Sequence, residues 1–138
     1  MMYSHSYHKR VRYAETDKMG YLYYGHYAKY YEIGRVETIR DLGLPYRDLE
    51  DKYGIMLPVL HLECRYIKPA YYDENIEIRS ILKRMPGKMI VFDHELYNEK
   101  QELINTATVK LFFIDMKTQQ RVSCPDILSK NLESYFAS

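Results

Sequence analysis

The sequence predicts an α+β fold in which a five-stranded, largely antiparallel sheet wraps one long central helix. Three observations carry this expectation. Apolar and small residues recur at spacings of three and four through 24–42, the period of a helix face. Four later stretches alternate apolar and polar residues, the period of a half-buried strand. The turns between the last three stretches are short, as in an antiparallel meander. A chain of 138 residues, 46% hydrophobic, suits one domain with its own core and is too short for two, so 1–138 is expected to be a single domain.

Residues 8–14 open the order with a strand. Val11 and Tyr13 share one face, and Lys9, Arg10 and Arg12 mark it as partly exposed. Residues 15–23 read as a loop, with Gly20 free to take a positive φ. In the helix 24–42, Tyr27, Tyr30, Tyr31, Gly34, Thr38 and Leu42 line one side. Lys29, Glu32, Glu37 and Arg40 lie mostly opposite, with Ile33 and Val36 among them. Gly34 costs a helix about 1 kcal/mol against Ala, so its presence implies a close approach to the sheet. Gly43, followed by Pro45, stops the helix.

A short helical turn follows at 46–52. The strand 60–66 alternates Leu60, Leu62, Cys64 and Tyr66 with His61, Glu63 and Arg65, and Pro58 and Pro69 bracket it. Residues 75–83 place Ile76, Ile78 and Leu82 inward. Residues 89–97 do the same with Ile90, Phe92 and Leu96, and 103–115 with Leu103, Ala107, Val109, Leu111 and Phe113. After Pro125, residues 126–136 read as a short terminal helix. The dimensions agree: a helix over 24–42 is about 28 Å long, and five strands span about 24 Å. Ile81 and Val91 are apolar on the outer face, and a two-layer domain this small hides such surface by pairing with a copy of itself.

Composition excludes several functions. The net charge of +1 gives no reason to expect nucleic acid or an anionic membrane as partner. No window approaches the ~18 apolar residues of a membrane span, and MMYSHSYHKR lacks a signal-peptide core. Cys64 and Cys124 lie far apart without CxxC spacing, and they read as free thiols of a reducing cytoplasm. The patterns GxSxG, GxGxxG, GxxxxGK and HExxH are absent. His61 and His94 fall within strands and read as packed or hydrogen-bonded side chains rather than catalytic ones. There are 16 tyrosines and no tryptophan. That bias suits aromatic packing, or a wall with an apolar body and a polar tip.

The remaining chemistry gathers at Asp17, in the loop before the helix. Alone, Asp17 reads either as a turn-capping carboxylate or as a reactive one. The N–H groups that open a helix have no internal partner and carry the positive end of its dipole, so Tyr24 N–H is a candidate donor to a developing oxyanion.

The run Arg12-Tyr13-Ala14-Glu15-Thr16-Asp17, then Gly20, Tyr24-Gly25-His26-Tyr27 and Tyr31-Glu32, resembles the hotdog-fold acyl-CoA thioesterases of the 4-hydroxybenzoyl-CoA thioesterase type. Tyr66-Ile67-Lys68-Pro69-Ala70 with Asp73 adds a second match to that family. The resemblance spans about 10–115. It implies a hotdog fold, assembly as dimers and dimers of dimers, and hydrolysis of acyl-CoA without metal or organic cofactor. It places Asp17 at the catalytic aspartate, as nucleophile or general base, and the backbone N–H of Tyr24 at the thioester carbonyl. His26 stands where many relatives carry Asn, a side chain able to orient water or the substrate carbonyl, so His26 joins Asp17 and Tyr24 as a catalytic candidate; Tyr24 stands where some relatives carry His. Tyr23, Gly25 and Tyr27, around the same helix start, are the implied substrate contacts. Lys83, Arg84 and Lys88, around the Pro86-Gly87 turn, are the implied partners of the CoA phosphates. Two other functions fit the same fold: release of acyl groups from acyl carrier protein, and acyl-CoA binding without catalysis.

Overall fold

A computed structural model describes residues 1–137. Strand β1 (Tyr3–Arg10) is followed by helix α1 (Tyr27–Asp41), helix α2 (Tyr46–Asp51) and strands β2 (Ile55–Met56), β3 (Val59–Tyr66), β4 (Asn75–Leu82), β5 (Met89–Tyr97), β6 (Leu103–Phe112) and β7 (Ile114–Asp115). Helix α3 (Asp126–Phe136) closes the chain. The main sheet has the order β1-β4-β5-β6-β3, and every neighbouring pair is antiparallel. Helix α1 lies across it, so the arrangement is the expected hotdog. Among the described residues no helix is long and apolar enough to cross a membrane.

The helix face matches its period. Tyr27, Tyr30, Tyr31, Gly34 and Thr38 are buried, facing Ile76, Ile78 and Leu82 of β4 and Ile90, Phe92 and Leu96 of β5. Gly34 is the point of closest approach: a Cβ there would stand 2.5 Å from Ser80 Oγ and 2.7 Å from Ile78 Cγ2. Beyond the predicted face, Arg35 and Ile39 are also buried. The helix ends at Gly43, whose N–H donates to Arg40 O at 2.9 Å, while Leu44 N–H donates to Ile39 O at 3.1 Å. This pair of bonds is a Schellman motif.

Four expectations are corrected. The first strand spans Tyr3–Arg10, not 8–14, because an unbroken ladder from Tyr3↔Leu82 to Arg10↔Asn75 fixes it on β4. Beyond Arg10, Glu15 Oε1 accepts Arg12 N–H at 2.9 Å and the chain winds into a 3₁₀ turn. The helix 24–42 is a 3₁₀ turn over 24–26 leading into α1. The stretch 103–115 breaks at Phe113. Pro58, which cannot donate, separates β2 from β3 on one side, and β7 leaves β6 to pair with β2 on the other. Ile81 is buried, so it is not open apolar surface, and Val91 is half-buried.

Exposed apolar surface lies instead on β3. This strand is an edge of the sheet, and Val59, Leu60, Leu62 and Tyr66 on it are 38–50% exposed. His94 is packed as expected: its ring stacks on Tyr31 and Phe92, and its Nδ1 lies 2.9 Å from Ser80 Oγ. His61, on the edge strand β3, is exposed instead. Both cysteines are free.

Candidate active site

The loop between β1 and α1 is pinned from three sides. It doubles back on itself, with Asp17 N–H donating to Tyr21 O at 2.9 Å and Gly20 N–H to Asp17 O at 3.0 Å. Gly20 takes φ +80°, a conformation that costs glycine nothing. The loop docks on the segment after β3, through Leu22 N–H to Ala70 O at 2.7 Å and Tyr72 N–H to Gly20 O at 2.9 Å. Its third anchor is Glu15. The Glu15 carbonyl accepts Tyr23 N–H at 2.9 Å, and its buried carboxylate accepts Lys9 Nζ at 3.0 Å, Tyr30 O–H at 2.8 Å and a close ion pair from Lys29.

This framework settles how Asp17 is held. Oδ1 accepts Met19 N–H at 2.9 Å and Tyr21 N–H at 3.2 Å, the bonds of a turn-capping carboxylate. Oδ2 has no hydrogen-bond partner among the described residues. Asp17 is half-buried and lines a cavity of about 450 Å³. Tyr24, Tyr27 and Tyr66 line the same cavity, and Met19, Leu22, Ile67 and Pro69 make its wall largely apolar.

Tyr24 begins the 3₁₀ turn that leads into α1, and its side chain is mostly exposed. The turn is closed by His26 N–H donating to Tyr23 O at 2.9 Å. The N–H groups of Tyr24 and Gly25 find no partner among the described residues, as expected of a helix start. The cavity is therefore lined by a largely apolar wall, the Asp17 carboxylate and Tyr24, the residue that begins the turn into α1 and whose N–H is open. Those are the parts needed to polarise a carbonyl and to deliver an oxygen nucleophile to it.

The other sequence candidates fall into two groups. Tyr23, Gly25 and His26 adjoin the helix start but do not line the cavity. The Tyr23 ring lies over Gly25, where a Cβ would meet Tyr23 Cε2 at 2.7 Å, and it meets the His26 ring edge-on at 5.8 Å. Lys83, Arg84 and Lys88 are remote within one chain. The Asp17 loop docks just before the start of β4, whereas these residues follow its far end, roughly 25 Å away at ~3.4 Å per residue. Lys83 there pairs with Asp93 at 3.6 Å. Tyr66 had no assigned part in the sequence. Its O–H donates to Tyr24 O at 3.2 Å across a separation of 42 residues, which no local pattern reveals. Among the described residues no three His, Cys, Asp or Glu side chains cluster as metal ligands would.

Comparison with known proteins follows the same lines. A family model described as the thioesterase-like superfamily matches residues 11–132. YneP of Bacillus subtilis strain 168, named provisionally as an acyl-CoA thioesterase, is 36% identical over 120 residues, covering 84% of this chain and 86% of YneP. The crystal structure of a DHNA-CoA thioesterase from Staphylococcus aureus superposes with a TM-score of 0.82 at 34% identity, covering 96% of this chain and 83% of that one. A 4-hydroxybenzoyl-CoA thioesterase mutant crystallised with 4-hydroxybenzoyl-CoA gives a TM-score of 0.83 at 18% identity, over 93% of this chain and 97% of its own. At that identity the likeness is one of fold.

Proposed function

Because the chain belongs to the thioesterase-like superfamily, we propose that it hydrolyses an acyl-CoA thioester to a free carboxylic acid and CoA. The observation that carries this reading is the meeting of Asp17 and Tyr24 on one apolar cavity. The acyl group enters the cavity, and its carbonyl oxygen accepts the open N–H of Tyr24. The helix dipole and that donor stabilise the oxyanion without a charged side chain. Asp17 Oδ2, left open by the turn, either attacks the carbonyl carbon, giving a mixed anhydride that water then hydrolyses to release the free acid, or takes a proton from the water that attacks the carbonyl directly. The thiolate of CoA leaves without needing a strong general acid.

The reading includes a homodimer, with assembly into a dimer of dimers. β3 presents an unpaired edge and exposed apolar side chains, and a second copy of the chain satisfies both. Lys83, Arg84 and Lys88 then serve as phosphate contacts only across subunits, since within one chain they stand far from Asp17. Free Cys64 and Cys124 suit the cytoplasm to which we assign the protein.

A hydrolysis assay over aliphatic acyl-CoA chain lengths, aryl-CoA and acyl-carrier-protein thioesters tests the reading. Turnover of CoA thioesters is expected. Absence of turnover on every CoA thioester would overturn it.

A further inference from the structure

We propose that Tyr66 is a positioning residue that holds the carbonyl-polarising end of the helix in place. The inference rests on the reading above, in which Tyr24 N–H binds the thioester carbonyl, and it adds the part that fixes, from the neighbouring strand, the peptide directly after that donor, whose N–H is that of Gly25.

The first two peptide groups of the helical segment are arranged alike. In the first, Tyr23 O accepts His26 N–H at 2.9 Å, and the N–H of the same peptide, that of Tyr24, is open. In the second, Tyr24 O accepts the Tyr66 phenol at 3.2 Å, and the N–H of that peptide, that of Gly25, is open. Each carbonyl is tied and each N–H faces no partner among the described residues. A bond accepted by an amide carbonyl polarises the group and strengthens its N–H as a donor. It also fixes the amide plane. The first tie is local, so it comes with any helical turn. The second comes from the last residue of β3, and it couples the helix start to the sheet edge.

Tyr66 is itself held for this task. Its ring stands edge-on to buried Tyr27, with centroids 5.0 Å apart. Burial foremost, then Cys64 beside it, pushes its phenol up to about 12, so the hydroxyl keeps its proton at neutral pH and remains a donor. A 3₁₀ turn has weaker internal bonds than an α-helix, and Tyr24 has a mostly exposed side chain that does little to anchor it. The bond from Tyr66 on β3 supplies that anchor.

The test is Tyr66→Phe, which keeps the ring against Tyr27 and removes only the hydroxyl. Steady-state kinetics on the best CoA thioester of the wild type should show kcat lower by roughly three- to tenfold, the scale of one neutral hydrogen bond. KM should stay within about twofold, and the melting temperature and oligomeric mass should not change. A readout independent of activity accompanies it: the Gly25 amide resonance should shift and exchange faster with solvent in the variant. Wild-type kcat with an unmoved Gly25 resonance overturns the proposal, and so does a raised KM at unchanged kcat, which marks a substrate contact instead. Failure of the functional reading looks different, because the wild type itself then shows no turnover.

Discussion

Tyr30 and Glu15 bind the two halves of the site together, the phenol on α1 donating to Oε1 of the loop carboxylate at 2.8 Å. Burial pushes the Glu15 carboxyl up. The Arg12 N–H, Lys29, Lys9 and Tyr30 more than offset it, and the carboxyl is held at about 2, below its ordinary 4.5. A carboxyl with a lowered folded-state pKa stabilises the fold above its unfolded value and loses that contribution as pH falls. The gap corresponds to about 3 kcal/mol. Thermal melts of wild type and Glu15→Gln should differ most above pH 4.5 and converge between pH 4.5 and 2. A difference that persists unchanged into acid would remove the carboxylate as its source.

Asp17→Asn should separate turn from chemistry. The amide keeps an oxygen to accept Met19 and Tyr21 N–H, so folding and acyl-CoA binding are expected to survive. It is a poor base and a poor nucleophile, so kcat should fall by ~10²–10⁴-fold, with little change in KM or melting temperature. Near-normal kcat would exclude Asp17 from the reaction and turn attention to His26.

Gly34→Ala sets two effects against each other. Ala favours the helix by about 1 kcal/mol, but its methyl would press on Ser80 Oγ and Ile78 Cγ2, both on the strand beneath. Overpacking of a tight core costs about 1–3 kcal/mol, so denaturant unfolding should show a net loss of stability. A more stable variant would mean that α1 can lift from β4 at little cost.

Leu62→Asp tests the edge. Leu62 is 38% exposed, so a charge there burdens the lone chain little. In a β3-to-β3 pairing the substitution would put a charge on the apolar surface of the seam. Sedimentation should show a smaller assembly than the wild type, with the β3-paired dimer lost, and activity should fall with it if the pocket needs both subunits. An unchanged dimer would place the interface elsewhere.

Much of the fold is legible because periodicity reports which side of an element is covered. The tyrosine face of α1 and the alternation of β4, β5 and β6 follow from spacing alone, and Gly34 announces its close contact through its cost. Legibility fails where covering depends on a distant partner. Leu60, Leu62 and Tyr66 alternate as cleanly as Ile76 and Ile78 do, yet they remain exposed because α1 packs over β1, β4 and β5 rather than over β3. β1 looks too polar to begin at Tyr3, and only its pairing with β4 extends it there. Arg35 is buried on the helix flank with Nε and Nη1 unpartnered among the described residues, which no spacing rule anticipates. In the site, the run from Arg12 to Asp17 shows the carboxylate but not which of its oxygens is open. That depends on the turn at Gly20.

The pairing of β1 with β4 also constrains the order in which the chain can fold. Ser6 meets Glu77 across 71 residues, so the first strand made is among the last to find its place. At ~5–20 residues per second of synthesis, it waits about 4–14 s for its neighbour to be made. For about the second half of that interval, roughly 2–7 s, α1 is complete, yet β4 and β5, which lie beneath Tyr30 and Tyr31, do not exist. A nascent chain halted before residue 75 therefore carries a bare aromatic stripe and a dangling strand.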